Sequence, residues 1–557
     1  MNLSLASKQS QAQDWWRSAA IYQVYPRSFF DSNGDGIGDL PGIIQKLDYI
    51  AQLEVDAVWI SPFFKSPMKD FGYDISDYRA VEPMFGTMED FQLLLKEAHD
   101  RNLKILIDQV WNHTSDQHPW FMESRSSRDN AKADWYVWED AKPDGSPPNN
   151  WRATFGGSAW EWDETRQQYY LHSFLVSQPD LNWYNPEVKE AIFDVARFWL
   201  DMGVDGFRLD VVNFYLHDRQ LRDNPPRPPE MKRPAGADPK DPFFDFINVH
   251  NFCQPEIIDL LKSIREVMDE YPGTTTLAEI SSAEDPLVLA SEYVSGNDRL
   301  HTAYNSELMK DEPFSYPRLR EMIQRIETHF QDGVICWTAG THDFPRFKSR
   351  WQKHQEIDHF TEEAFEHMLA ALILALKGSC CIYQGDELGL TQADIPYEKM
   401  QDPFGLQGYP DILGRDGCRT PMPWDPSTHN AGFTTAKEPW LPIPDEHCPM
   451  AVDIQEKETM SLLNKYRRLF SWRNRQPALR NGDLTLLDTP EPLLGFARKC
   501  EEQHLICLFN LSPEALRHDL SNYPNCQESD ESDFTNRRYD HTIEIPGYGV
   551  FFGNCLG

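Results

Sequence analysis

Apolar positions along the chain fall into short runs that alternate with stretches of helical period. IYQVYP (21–26), DAVWIS (56–61) and KILIDQV (104–110) have strand length. Between them, residues 41–53 and 87–101 repeat apolar side chains at helical spacing. Pro41 suits a first helical turn, and Thr87 is placed as an N-cap with Glu89 and Asp90 in the turn it caps. Strand, helix and strand in this order predict parallel strands joined by crossover helices. The rhythm resumes with helices at 186–202, 255–270 and 362–377 and strands at 204–209, 274–279, 334–339 and 379–384.

Three stretches interrupt it. Residues 111–183 are rich in Trp, Gly, Pro, Asn and Asp and are too long for a plain loop, so they predict an inserted small domain. Residues 216–246 are proline-rich and read as an ordered loop or a lid. Residues 385–455 are loop-like, and from about 478 short alternating strands predict a separate C-terminal β-domain. The division is therefore 1–110 and 184–384 for a principal domain, 111–183 for the insert and 385–455 for a subdomain. A last helix at 456–477 and a β-domain at 478–557 complete it.

The 557 residues, 40% of them hydrophobic, suffice for a large packed domain with smaller companions. A formal charge of −35 excludes nucleic acid and anionic membranes as natural partners, fits a neutral substrate and is compatible with a salty habitat. Ten cysteines in a chain of this length are not a disulfide framework, and Cys380 and Cys381 sit in an apolar run as core residues. MNLSLASKQSQAQDWW lacks the basic start and apolar stretch of a signal peptide, and no run is long enough to span a membrane. A cytoplasmic protein, monomer or homodimer, is the expectation.

Candidate chemistry sits at the ends of the predicted strands. Asp31, Asn33, Asp35, Ile37 through its carbonyl, and Asp39 put oxygen at every second position, with glycines for the turn. That pattern is like the start of a hard-cation loop, although Gly42 stands where an EF-hand has Glu, and an Asx-rich turn is the plainer alternative. Asp210 ends one strand with Arg208 two residues before it, on the same face and able to keep the carboxylate ionised. Glu279 ends another apolar strand as a partly desolvated proton donor. His342 and Asp343 follow a third strand, and Asp108, Asn112 and His113 a fourth. Each feature alone is ordinary: an ion pair, a helix cap, a polar loop. Four strand ends presenting carboxylates or imidazoles together point to the catalytic face of a barrel.

In order, IYQVYPRSFFDSNGDGIGDLPGI, DQVWNHTS, GFRLDVVNF, AEI, THD, YQGDELG and GRDGCRTPMPW resemble the α-amylase superfamily (glycoside hydrolase family 13), in its α-glucosidase and oligo-1,6-glucosidase branch. The resemblance runs from Trp15 to the C-terminus. It implies a (β/α)₈ barrel with an inserted domain B and a C-terminal antiparallel β-sandwich. It implies Asp210 as nucleophile, Glu279 as acid/base, their carboxyls about 5–5.5 Å apart, and Asp343 as the grip on sugar hydroxyls. His113 and His342 would hydrogen-bond the ring and Arg208 would orient Asp210. Asp70 and Tyr73 would hold the terminal glucose, with Phe155 and Phe174 as aromatic walls. Either Arg415 or Arg419 would pair with Asp70, and Glu387 would lie near the acceptor side. The loop at 31–39 would hold one structural Ca²⁺ or Mg²⁺, with no organic cofactor.

Thr341 departs from the family's Asn before His-Asp. Val211, after the nucleophile, is the choice that accompanies α-1,6 rather than α-1,4 activity in this branch. The implied substrates are small neutral α-glucosides, with transglucosylation as a competing outcome. Amino-acid-transporter heavy chains resemble the same branch without catalysing, but need a membrane span and usually lose the carboxylates kept here. A sugar-binding module would need no acid, nucleophile and third carboxylate together.

Overall fold

The computed structural model describes residues 14–234, 240–354, 359–529 and 533–555. The N-terminal stretch read for targeting signals lies largely outside these residues, as does the tip of the proline-rich segment at 235–239. Eight parallel strands close a barrel: β1 (Ala20–Val24), β2 (Ala57–Ile60), β3 (Lys104–Gln109), β4 (Gly206–Leu209), β5 (Thr275–Ala278), β6 (Thr302–Asn305), β7 (Val334–Trp337) and β8 (Ser379–Tyr383). Each pairs with its neighbours in sequence, and β8 pairs back onto β1. Helices pack outside, among them α1 (Met88–Asp100), α2 (Pro186–Asp201), α3 (Ile257–Asp269), α4 (Pro286–Val294), α5 (Tyr316–His329) and α6 (His359–Ala375). This is the (β/α)₈ architecture expected.

The strands are apolar throughout because both faces are covered. Ile21, Ala57, Trp59, Leu106, Leu277, Tyr304, Cys336 and Cys381 form a core inside the barrel, distinct from the larger one beneath the helices. Two residues on from Ile21, Leu106 and Leu277 stand Gln23, Asp108 and Glu279. Strand alternation therefore lifts polar groups above an apolar plug, at the C-terminal face. Close packing sets the strand starts too: a Cβ at Gly206 would lie 2.4 Å from the Thr275 carbonyl oxygen.

Thr87 caps α1 in a capping box: its hydroxyl accepts from the Asp90 amide, and the Asp90 carboxylate accepts from the Thr87 amide. The helical run at 41–53 is broken into Leu40–Gln45 and Leu47–Ala51 at Lys46, whose ammonium lies over the Phe30 and Trp424 rings. Within 111–183, strands Trp138–Glu139, Gln168–Leu171 and Trp160–Asp163 form a small antiparallel sheet with its own core of Val137, Trp151, Ala159, Trp160 and Leu171. Beyond 478, a five-stranded antiparallel sheet faces a three-stranded one across Leu493, Ile506, Leu508, Ile543 and Phe551, a β-sandwich. One disulfide, Cys526–Cys555, joins two strands of the larger sheet, and the other eight cysteines are free. No helix among the described residues is long and apolar enough to cross a membrane.

Candidate active site

A cavity of about 440 Å³ opens at the C-terminal ends of the strands. Its chemistry is organised by two buried guanidiniums. Arg208, on β4, is fully buried. Its Nη1 donates to Asp108 (2.8 Å) and Asp210 (2.6 Å), and its Nη2 to Glu279 (2.5 Å) and the Tyr304 hydroxyl (2.8 Å). Barrel register makes this possible, since Asp108 and Leu277 are the direct partners of Arg208 on β3 and β5. Burial, followed by the charges of Glu279 and Asp108, pushes Asp210 well above the ordinary carboxylate range, against the pull of Arg208. Burial likewise raises Asp108 to about 6 despite the same guanidinium. Arg208 was expected to orient Asp210 and keep it ionised. Shared among three carboxylates, it does not offset the burial of Asp108 and Asp210, and both stay raised.

The second guanidinium is Arg415. Its Nη2 donates to Asp70 (2.8 Å) and Asp402 (2.7 Å), and its Nη1 to Asp343 (3.3 Å). Arg415, not Arg419, is thus the partner of Asp70. Arg419 instead donates to Asp343 (2.9 Å) and to the His342 carbonyl (2.7 Å). Two cations here face three carboxylates. Burial opposes ionisation of Asp343, yet its neighbours His342, Arg419 and Arg415 hold it below the ordinary range. Burial also opposes ionisation of Asp402, and Arg415 brings it down to about 2. Asp70 remains raised, because its burial outweighs Arg415.

A hydrogen-bonded chain links the two clusters. Tyr73 Oη donates to Asp108 (3.0 Å) and meets His342 Nε2 (2.7 Å), which is 3.2 Å from Asp343. Gln23 approaches the other ring nitrogen of His342 at 2.8 Å. Burial holds His342 well below its usual pKa and lowers His113 to about 3, so both rings are neutral. His113 meets the Tyr73 carbonyl and Gln178, and Gln178 also donates to Asp70. Thr341, in place of the family's Asn, accepts the Asp343 amide on its hydroxyl and so shapes the turn.

Of the residues singled out in the sequence, Asp70, Tyr73, His113, Phe155, Phe174, Asp210, Val211, Glu279, Asp343 and Arg415 line the cavity together. Arg208, His342 and Arg419 lie just behind them and act on the lining residues. His342, expected against the sugar ring, is fully buried and stacks on Tyr73. Glu387 is elsewhere: buried, it accepts from the Tyr22 and Tyr49 hydroxyls on the outer side of β1. The expectation that it borders the acceptor fails because the turn after β8 directs it out of the barrel. Asp108, named among the strand-end groups but given no role of its own, belongs to the site, as do Gln178, Asp402 and Phe404, which were not singled out. For Asp108 the signal was available, a carboxylate on an inward position of a strand end. The outer cavity is markedly apolar, with Phe244, Ile280, Met309, Phe344, Pro345 and Phe404.

The loop at 31–39 lies apart from the cavity. Asp31 accepts the amides of Asn33, Gly34 and Gly36, Asn33 that of Asp35, Asp35 that of Ile37, and Asp39 that of Gly42. No group of three His, Cys, Asp or Glu among the described residues has metal-holding geometry. The oxygen donors suit a hard cation in kind, but both oxygens of Asp31 and one of Asp39 already accept two hydrogen bonds each, from Asn33, Gly34, Gly36 and Thr434 and from Ser32. An EF-hand Glu has no place, because a Cβ at Gly42 would lie 1.9 Å from the Phe30 carbonyl oxygen.

The alpha amylase catalytic-domain family matches residues 23–482. A probable alpha-glucosidase of Rhizobium meliloti is 49% identical over 99% of both chains. An oligo-1,6-glucosidase of Heyndrickxia coagulans is 38% identical over 91% of this chain and 94% of that one. Among solved structures, the alpha-glucosyl transfer enzyme XgtA superposes with a TM-score of 0.92 at 48% identity, over 97% of this chain and 99% of that one.

Proposed function

The chain belongs to the alpha-amylase family, and from that premise we propose that it is an exo-acting, retaining α-glucosidase acting on short oligosaccharides and small α-glucosides. The carrying observation is the pair Asp210 and Glu279, joined to one guanidinium inside a cavity to which Asp70 and Arg415 contribute a buried ion pair. A glucose ring held by Asp70, His113 and Asp343 presents its anomeric carbon to Asp210. Asp210 attacks as the C–O bond to the aglycone breaks, and Glu279 gives its proton to the leaving oxygen. Glu279 then takes a proton from water, whose oxygen displaces Asp210 and returns the α-anomer. Asp343, kept ionised by His342 and the two arginines beside it, stabilises the positive charge that develops on the ring in both steps.

Val211 at the nucleophile's shoulder and the oligo-1,6-glucosidase relative support a preference for α-1,6 linkages. The apolar outer cavity supports transfer to acceptors other than water, and the relative XgtA is itself a transfer enzyme. Initial rates on maltose, isomaltose, sucrose and an alkyl α-glucoside, with the first-formed anomer read by NMR, test the reading. Isomaltose is expected to exceed maltose, with α-glucose formed first. Release of β-glucose, or of none, sinks it. The reading includes a cytoplasmic enzyme and a structural divalent cation held by Asp31, Asn33, Asp35, Asp39 and the Ile37 carbonyl. The cation's contribution would be to the stability of that loop, so adding Ca²⁺ or Mg²⁺ to chelated protein should raise Tm.

A further inference from the structure

β4 and β5 are paired up to Leu209 and Ala278, immediately before the two catalytic carboxylates. Beyond that point the backbones part, yet the loops stay joined. The Val212 amide donates to the Glu279 carbonyl (3.1 Å), and the Val211 amide to the Glu279 carboxylate (3.2 Å). The last link is one side chain. Asn213 Nδ2 donates to the Ser281 carbonyl (2.7 Å), and Asn213 Oδ1 accepts the Ser281 amide (3.1 Å). Its carboxamide thus supplies a donor and an acceptor to one residue and ties the two loops together past the ends of the strands.

The same residue takes in a third segment. The Cys253 amide donates to the Asn213 carbonyl (2.8 Å), and Nδ2 lies 3.3 Å from Cys253 Sγ, where the long loop after β4 returns. Backbone strain gathers at these joints. Val211 (φ 37°), Cys253 (φ 56°) and Ser282 (φ 56°) are all non-glycine residues in the left-handed region, and Val211 is β-branched. Such conformations persist where neighbouring bonds over-determine them. Asn213 bonds directly to Cys253 and to Ser281, the neighbour of Ser282, and it lies two residues from Val211. It is 1% exposed and is not part of the cavity lining.

We propose that Asn213 is a positioning residue that holds the Glu279 loop against the Asp210 loop and so sets the aim of the acid/base carboxyl at the leaving oxygen. The inference rests on the α-glucosidase reading above. Arg208 and a backbone bond anchor both carboxylates, but without the Asn213 carboxamide the Asp210 loop keeps its bond from the Cys253 amide while the Ser281 amide and carbonyl of the Glu279 loop lose theirs. Release of the clamp therefore harms proton donation more than nucleophilic attack. The test compares kcat/KM, which reports the glucosylation step, on isomaltose and on α-glucosyl fluoride. The fluoride leaves with little help from an acid.

In Asn213→Ala the isomaltose value should fall by about 10²-fold, the cost of an ångström-scale misplacement. The fluoride value should fall severalfold at most, and the acid and basic limbs of the isomaltose profile should move. Equal losses on the two substrates in folded protein, or no loss on either, overturn the proposal. If the alanine variant does not fold, the same ratio is read on Asn213→Asp. That variant fills the volume and keeps the acceptor for the Ser281 amide, but sets a carboxylate oxygen against the Ser281 carbonyl. Wild-type protein inactive on both substrates would instead remove the α-glucosidase reading itself.

Discussion

Arg208 and Arg415 are the same device built twice: a buried guanidinium holding three carboxylates. Around Arg208 stand Asp108, Asp210 and Glu279, and around Arg415 stand Asp70, Asp343 and Asp402. The difference is one further cation, Arg419, which reaches Asp343 and nothing in the first cluster. With one positive charge for three negative ones, the first cluster has Asp108 and Asp210 raised. With two, the second has Asp343 and Asp402 depressed, and only Asp70 stays raised by its burial. Proton transfer needs the former, and a fixed grip on a sugar and its developing charge needs the latter. Charge stoichiometry, rather than residue type, separates the reacting end of the site from the holding end.

The comparison breaks most visibly at the nucleophile. Asp210→Asn should lower kcat by roughly 10⁴-fold or more, whereas Asp402→Asn, which touches only the holding cluster, should mainly raise KM. Steady-state kinetics on both variants checks this, and a comparable fall in kcat for Asp402→Asn would erase the distinction. Removal of each central cation comes next. Arg208→Leu leaves three buried carboxylates with no partner cation and should cost about 3–5 kcal/mol of folding stability. Arg415→Leu should cost less, because Arg419 still neutralises Asp343. Urea denaturation ranks the two, and a larger loss for Arg415→Leu would contradict the charge count.

How much of this arrangement the chain displayed in advance follows from distance along it. Arg208 and Asp210 are two residues apart on one strand, so their pairing was legible from alternation. Asp70 and Arg415 are 345 residues apart, and only the closed barrel brings them together. Family resemblance placed both at the pocket but could not choose between Arg415 and Arg419. Asp402 looks like the cap of a short helix before Pro403, which it is, since it also accepts the Phe404 amide. Its second role needs the fold. Among the strands, β6 escaped notice because Thr302-Ala-Tyr-Asn305 has no apolar run. Its inward position is Tyr304, whose hydroxyl serves Arg208. Glu387 erred in the other direction: a motif placed it at the site, and strand geometry turned it outward.

A smaller effect would sharpen the comparison by converting one cluster toward the other. Arg419→Gln removes the second cation while leaving Arg415 in place. Asp343 then stands in a three-to-one environment like that of Asp210, and its pKa should rise. About a tenfold loss in kcat/KM at neutral pH is expected, together with a move of the acid limb to higher pH. An unchanged acid limb would show that Arg415 and His342 suffice to keep Asp343 ionised without Arg419.

The remaining effect is on stability against pH, and there the clusters should respond with opposite sign. Asp108 titrates at about 6 in the fold, against about 3.9 for an unfolded aspartate. Between those values the folded state binds the extra proton, so this group's contribution to stability grows as pH falls from about 6 to about 4. Asp402, at about 2 in the fold, behaves inversely. Its contribution is complete above the unfolded value and is lost as pH falls from about 4 toward about 2. Asp108→Asn should therefore remove a gain on the order of 3 kcal/mol in the upper window. Asp402→Asn should remove a loss in the lower one. Denaturation midpoints across pH report both, and wild-type and Asp108→Asn curves that run parallel between about 4 and about 6 would mean that Arg208 satisfies all three of its carboxylates after all.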